Sequence, residues 1–268
     1  MTSRISWEYP VNQGIGCNII SANDTSNFYS FLNELRSSVG EDFILTAAAP
    51  IIPWLGSDGK PSNVAPFAKV LDWLTIMNYD IWGSWSSAVG PNAPLNDTCA
   101  APANQQGSAV SAVQAWTDAG LPKDQLVLGV AAYGHSFLVN KTVALTGQGE
   151  LAAYPPFEHV QPMGDSSDGP SVDACGVSSP NTGIYNFWGM NGTFLDEHGH
   201  PLSGIYYRYD NCSQTVRTWR GRFLSAEGLT GRLCVISRMS TTKPRKSWFR
   251  LMMGGRLRPK DSLSQTSV

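Results

Sequence analysis

No stretch of this 268-residue chain comes near 18 consecutive apolar residues, so no membrane-spanning helix is expected. The opening Met1-Thr2-Ser3-Arg4-Ile5-Ser6 is too short and too polar for a secretory leader. Histidine is scarce, at four residues, and the five cysteines (Cys17, Cys99, Cys175, Cys212 and Cys234) form neither a CxxC pair nor a metal-ligand spacing. The sequence therefore predicts no metal and no cofactor. Cationic residues are also few over most of the chain. Residues 1–215 hold 7 Lys and Arg against 19 Asp and Glu, a net of −12, while residues 216–268 hold 12 against 2, a net of +10.

What is present is a globular composition, 42% hydrophobic and 10% aromatic, enough for one large or two medium domains. Five Asn-x-Ser/Thr sequons, at Asn23, Asn96, Asn140, Asn191 and Asn211, accompany the five cysteines. Together they point to an exported, oxidising setting. A body of that type without a leader predicts that N-terminal sequence is missing.

The chain is organised around Ser6-Trp7-Glu8-Tyr9-Pro10. A lone carboxylate between two aromatics at a strand end is either a surface rim or an acid tuned by its surroundings, because an unpaired buried charge is costly. After a loop rich in Asn, Gly and Ser, Phe28, Phe31, Leu32, Leu35 and Val39 recur at helical spacing, and Gly40 stands where a helix stops. Phe43–Ala49 reads as a buried strand, Pro66 opens a short helix to Leu71, and Leu74–Tyr79 is the next strand. Ala109, Ala112, Val113 and Trp116 mark a second helix, closed by Gly120, and Leu126–Tyr133 reads as one further strand. Continuous apolar strands alternating with helices predict an α/β fold with a parallel sheet. Four strands are legible, about half of a (β/α)8 barrel, with polar and aromatic residues at their carboxyl ends. Residues 138–207 break the rhythm with Pro, Gly and aromatics and read as a small α+β insertion.

Trp7-Glu8-Tyr9-Pro10, Met77-Asn78-Tyr79-Asp80 and Ala132-Tyr133-Gly134-His135-Ser136-Phe137 occur in the order and spacing of the family 18 glycoside hydrolases, which this chain resembles, the fungal chitinases in particular. The resemblance spans about residues 7–215. It implies an incomplete TIM barrel over residues 1–137, an α+β chitinase insertion domain over 138–207, a return toward the barrel over 208–215, and an unrelated basic tail over 216–268. It also implies hydrolysis of β-1,4-linked N-acetylglucosamine with retention, with the substrate's acetamido carbonyl as nucleophile. Glu8 would protonate the departing oxygen and then activate water, and Tyr79 would hydrogen-bond the acetamido group. Met77 and Asp80 would line the pocket floor, although Met77 also suits a core and Asp80 a turn. Trp7 would contact the substrate, and Trp82, Trp85 and Tyr133 would stack on sugar faces or, for the two tryptophans, pack their loop. Chitin or chito-oligosaccharides are the expected partners of an extracellular monomer, with neither nucleic acid nor membrane. One disulfide is expected between Cys175 and Cys212, leaving Cys234 over.

The departures from the family are specific. The Asp expected two residues before Glu8 is Ser6, and the one four before is Arg4. An intron splitting that Asp codon, read through, gives Ser. Shifted by one base, a family-like Met-Val-Ser-Phe-Asp-Asp becomes the Trp248–Met253 segment, and Phe-Ala-Ala-Lys-Gly becomes Leu257–Asp261. The basic tail is thus expected to be shifted-frame sequence without order rather than a nucleic-acid arm. Three readings remain open: an impaired chitinase, a chitin-binding lectin-like protein without catalysis, and a fragment that does not fold.

Overall fold

The computed structural model describes residues 2–14, 16–173, 175–222 and 230–237. Four strands, β1 (Thr2–Ile5), β2 (Ile44–Ala49), β3 (Trp73–Ile76) and β4 (Leu126–Leu128), form one parallel sheet in chain order. Helix α1 (Asp24–Val39) joins the first two and α2 (Ala109–Asp118) precedes the fourth. The alternation of the strands decides what each face does. Leu45, Ala47 and Ala49 of β2, Leu74 and Ile76 of β3, and Leu126 and Leu128 of β4 pack with Phe28 and Leu32 of α1 and Ala112 and Trp116 of α2. The alternate residues, Arg4, Thr46, Thr75 and Val127, face the other side, where Arg4 and Val127 are exposed.

Helix α1 is fixed by one cation. Arg36 lies on the stripe of Phe28 and Leu32 and is buried. Its Nε donates to the Val70 carbonyl at 2.9 Å, Nη1 to the carbonyls of Gly40 and Phe43, and Nη2 to Asp72 Oδ2 at 2.8 Å. The same Asp72 oxygen accepts the Leu45 N–H at 2.7 Å, so helix, strand and loop share one charge pair. Gly40 takes a left-handed φ of 79° and closes the helix through its N–H to the Arg36 carbonyl.

The expected single strand Leu126–Tyr133 is interrupted. After β4 the chain passes Gly129, whose N–H donates to the Ile76 carbonyl at 2.8 Å. A Cβ there would sit 2.9 Å from that same oxygen. The next strand, β5 (Tyr133–Asn140), belongs to a different sheet. Helix α3 (Lys141–Ala144), the hairpin of β6 (Ser171–Val172) and β7 (Ser178–Ser179), β8 (Ile184–Asn186), helix α4 (Phe187–Met190), β9 (Tyr206–Asp210), β10 (Thr215–Arg222) and β11 (Thr230–Ser237) follow. The second sheet has the order β8-β5-β11-β10-β9, with every pair antiparallel. Phe137, Val139, Ala144, Leu151 and Trp219 fill its core with Val89. The boundary expected after residue 137 therefore falls inside β5.

Two further expectations are corrected. Residues 216–222 and 230–237 are strands rather than a disordered tail, because the charges there are placed as well as numerous: Arg217 is buried, its Nη2 2.9 Å from Asp210 Oδ2, and Trp219 joins the core. Residues 238–268, including the segments 248–253 and 257–261, lie outside the described residues, as does the Cys234 side chain. The disulfides are Cys17–Cys175 and Cys99–Cys212, not Cys175–Cys212. Cys175 sits in the β6–β7 turn and Cys212 in the β9–β10 turn, and each meets a loop from the first half of the chain, with sequence separations of 158 and 113 residues.

Two outcomes follow. Arg36→Ala leaves Asp72 half buried without its partner and lowers unfolding free energy by about 3–5 kcal/mol in denaturant titration. Non-reducing peptide mapping recovers the 17–175 and 99–212 links, and Cys99→Ser with Cys212→Ser costs about 2–5 kcal/mol.

Candidate active site

Glu8 stands beyond the end of β1, and its neighbours fix its backbone. The buried Trp54 indole donates from Nε1 to the Glu8 carbonyl at 3.2 Å. Trp54 is itself boxed by Phe28, Phe67 and Trp116, with ring centroids 4.8–5.2 Å away. The Glu8 side chain accepts a 2.8 Å hydrogen bond from Ser6 Oγ to Oε1. A cavity of about 270 Å³ opens here, lined by Ser6, Trp7, Glu8, Tyr9, Asn18 and Asp24, among others.

A second group gathers at the ends of β3 and β5. Asp80 adopts φ 57°, in the left-handed region that an L residue enters only when held there. Its N–H donates to Asn92 Oδ1 at 2.9 Å, and Asn92 Nδ2 donates to the Tyr133 carbonyl at 2.9 Å. The Asp80 carboxylate meets His135 Nε2 at 2.8 Å and accepts from the Tyr133 phenol. Tyr79 packs edge-on against Tyr133 at 6.2 Å, and Trp85 edge-on against His135 at 5.6 Å.

The charges follow from these contacts. Burial opposes ionisation of Asp80, but the hydrogen bonds from His135 and Tyr133 outweigh it and hold the carboxyl below its usual value. Burial pushes the Tyr133 phenol well up, and donation to Asp80 adds to this. The Tyr79 phenol is also raised, by burial first, with the hydrogen-bonded Arg4 guanidinium pulling the other way. Tyr9 is raised by burial and by the nearby charges of Glu8 and Asp80, so its phenol links the Glu8 end of the cleft to the Asp80 end. All three tyrosines are neutral donors at ordinary pH.

Of the residues singled out in the sequence, Tyr79, Asp80, Tyr133 and Trp85 come together, with Glu8 near Tyr79 through Tyr9. Trp85 is 64% exposed and offers an open ring. Trp82, expected to stack on sugar, is instead 3% exposed and lies against Tyr154 at 5.4 Å. Gly90 makes room for it, since a Cβ there would meet the indole at 2.1 Å. Trp7 leans on Phe28 at 5.2 Å, on the helix side of the strand, and Met77 is buried. Sequence reasoning missed Trp54, Asn92, His135 and the Arg4–Tyr79 contact. Only His135 carried a signal, its place two residues after Tyr133 on an apolar strand. Among the described residues no group of three or more His, Cys, Asp or Glu is placed to hold a metal, and no helix is long and apolar enough to cross a membrane.

The profile of the glycosyl hydrolases family 18 matches residues 4–219, and the chain belongs to that family. It is 48% identical over 251 residues to a chitinase-like effector of Moniliophthora perniciosa, covering 85% of this chain and 57% of that protein. A chitinase-like effector of Moniliophthora roreri is 51% identical over 218 residues, covering 79% of this chain and 52% of its own length. The crystal structure of the chitinase RmChi1 from Rhizomucor miehei superposes with a TM-score of 0.72 at 30% identity, over 85% of this chain and 60% of that one. The chain thus spans little more than half the length of the relatives it matches, and the shared fold is TIM-barrel-like.

The depressed Asp80 carboxyl gives a signed pH effect. Its folded value lies below the unfolded one, about 3.9, so its contribution to stability is full above the unfolded value and is lost as pH falls through the folded one. Asp80→Asn is therefore less stable than the parent at pH 7 in thermal melts, and the gap closes as pH falls through the folded value.

Proposed function

We propose that this chain carries a chito-oligosaccharide cleft of the family 18 kind in which binding is retained and hydrolysis is impaired. The observation that supports this is the pair of substitutions beside the proposed acid. Ser6 Oγ, not a carboxylate, partners Glu8, and Arg4, not an aspartate, lies against Tyr79.

In the proposed reaction the acetamido carbonyl oxygen attacks the anomeric carbon as the glycosidic C–O bond breaks. Glu8 gives its proton to the departing oxygen, then takes one from the water that opens the oxazolinium, with net retention. Tyr79, a neutral phenol, hydrogen-bonds the acetamido group. Positive charge develops on the ring during the first step. A hydroxyl at Ser6 cannot balance it, and the Arg4 guanidinium opposes it. Loss of a charge-stabilising group of this kind costs about 10²–10³-fold in rate. Sugar contact asks for less, and the exposed Trp85 ring, the Tyr133 ring beside Tyr79 and the Asp80 carboxylate support it. The relatives named chitinase-like effectors are in keeping with a family member that is not primarily a hydrolase.

The parallel sheet is, in this reading, part of a catalytic barrel, and the antiparallel sheet corresponds to the insertion domain. Two disulfides and five sequons support an extracellular setting.

Isothermal calorimetry with chitotetraose gives measurable binding to the 268-residue protein, while product release from the same oligomer stays at least about 100-fold below that of an intact family chitinase. Ser6→Asp alone does not restore turnover, because Arg4 remains, and Glu8→Gln leaves binding within about threefold. Absence of any binding, or turnover equal to the intact enzyme, overturns the reading.

A further inference from the structure

His135 takes no part in the chemistry proposed above, yet it is buried beside the cleft and paired with Asp80. It lies on β5, 5% exposed, with Nε2 2.8 Å from Asp80 Oδ1. Its other ring nitrogen, Nδ1, is buried and has no hydrogen-bond partner among the described residues. A bare lone pair on Nδ1 is tolerable there, whereas an N–H with no acceptor carries the full cost of desolvating a donor. The ionised Asp80 carboxylate can only accept, so Nε2 carries the proton that points at it.

The same ring has a second contact. The Trp85 indole meets it edge-on at 5.6 Å and 81°, and Tyr133 meets it at 5.9 Å and 89°. Trp85 is largely solvent-exposed, so this contact with a buried ring decides where its open face lies. The loop allows it because Gly83 lacks a Cβ, which would otherwise meet the Trp85 ring at 2.3 Å. Among the described residues, the titratable groups facing His135 are Asp80 from the loop after β3 and Tyr133 from its own strand. Opposite it stand Ile184 of β8 and, by register, Val235 of β11, neither of which ionises.

We propose that His135 is a positioning residue. Its imidazole, donating from Nε2, fixes the Asp80 carboxylate and the Trp85 indole in one relative geometry and so sets the affinity of the cleft for a chito-oligosaccharide it never touches. The last clause rests on the reading of the cleft given above. The positioning itself does not.

Three substitutions separate the contributions. His135→Phe keeps the ring against Trp85 and removes the donor. His135→Gln places an amide N–H near the position of Nε2. Asp80→Asn removes the acceptor charge. Calorimetry with chitotetraose shows affinity lowered about tenfold or more in His135→Phe, the scale of one hydrogen bond to a charged group, and recovered to within about threefold in His135→Gln. In the Asp80→Asn background, His135→Phe adds little further loss, since the two act as one unit. ¹⁵N spectra of the histidines show His135 as the Nε2–H tautomer, and its resonances move in Asp80→Asn. Equal weakening by Gln and Phe assigns the effect to packing and overturns the proposal, as does an Nδ1–H tautomer. If the parent binds no oligosaccharide, the functional reading fails, and the ¹⁵N spectra of the parent and of Asp80→Asn still decide whether His135 holds Asp80.

Discussion

The structure depends on one buried side chain, Asn92, and what it ties together. Its amide carries the Asp80 N–H on one atom and the Tyr133 carbonyl on the other, and its own carbonyl accepts the Ile81 N–H at 3.0 Å. Asp80 follows a strand of the parallel sheet, and Tyr133 opens the strand that begins the antiparallel one. The fully buried amide is thus the hinge pin between two sheets of different construction. The left-handed backbone at Asp80 costs on the order of 1 kcal/mol, and these hydrogen bonds offset it. With the backbone fixed, the carboxylate is delivered to His135 and Tyr133, and the aromatic cluster follows.

The sheet switch also explains what could and could not be read in the sequence. Apolar runs report burial, and the four parallel strands were legible for that reason. The run Leu126–Tyr133 is equally apolar throughout, yet it contains the change from one sheet to the other, because Gly129 must approach the Ile76 carbonyl and the Tyr79 ring. Nothing local marks that approach except a glycine among many. The two loop tryptophans make the same point. Trp82 and Trp85 stand three residues apart in one Gly- and Ser-rich loop, and what separates a buried ring from an open one is Gly90, further along that loop, and Tyr154, supplied by another segment.

Composition misleads in a related way. The segment beyond residue 215, with its net of +10, reads as shifted-frame sequence without order, and a count of its cations says nothing of where each one lies. Arg217 is instead enclosed, paired with Asp210 and donating to the Ala153 carbonyl, while Thr218 and Trp219 beside it are buried. Arg36 serves α1 likewise. Arg36 satisfies three carbonyls around the end of α1 and Arg217 one, and in both cases the charge is answered by one carboxylate. Disulfide partners were hidden for the same reason: Cys175 and Cys212 occupy turns at different places in the second half of the chain, and the fold sends each toward the first half.

The cleft divides along this junction. On one side the Asp80, Tyr133, His135 and Trp85 set is held by hydrogen bonds that cross between sheets. On the other, Glu8 is placed by its backbone through Trp54, while the groups around its carboxylate come from alternate positions of β1 and its extension, Arg4 and Ser6. Those positions face away from the helix-covered core and contribute little to its packing. Substitution there changes the charge around the proposed acid without disturbing the sheet. A family 18 cleft built this way can lose its charge-stabilising carboxylates while the surface proposed to grip the sugar is left standing. In the proposed reading, hydrolysis and recognition are separable because different elements support them.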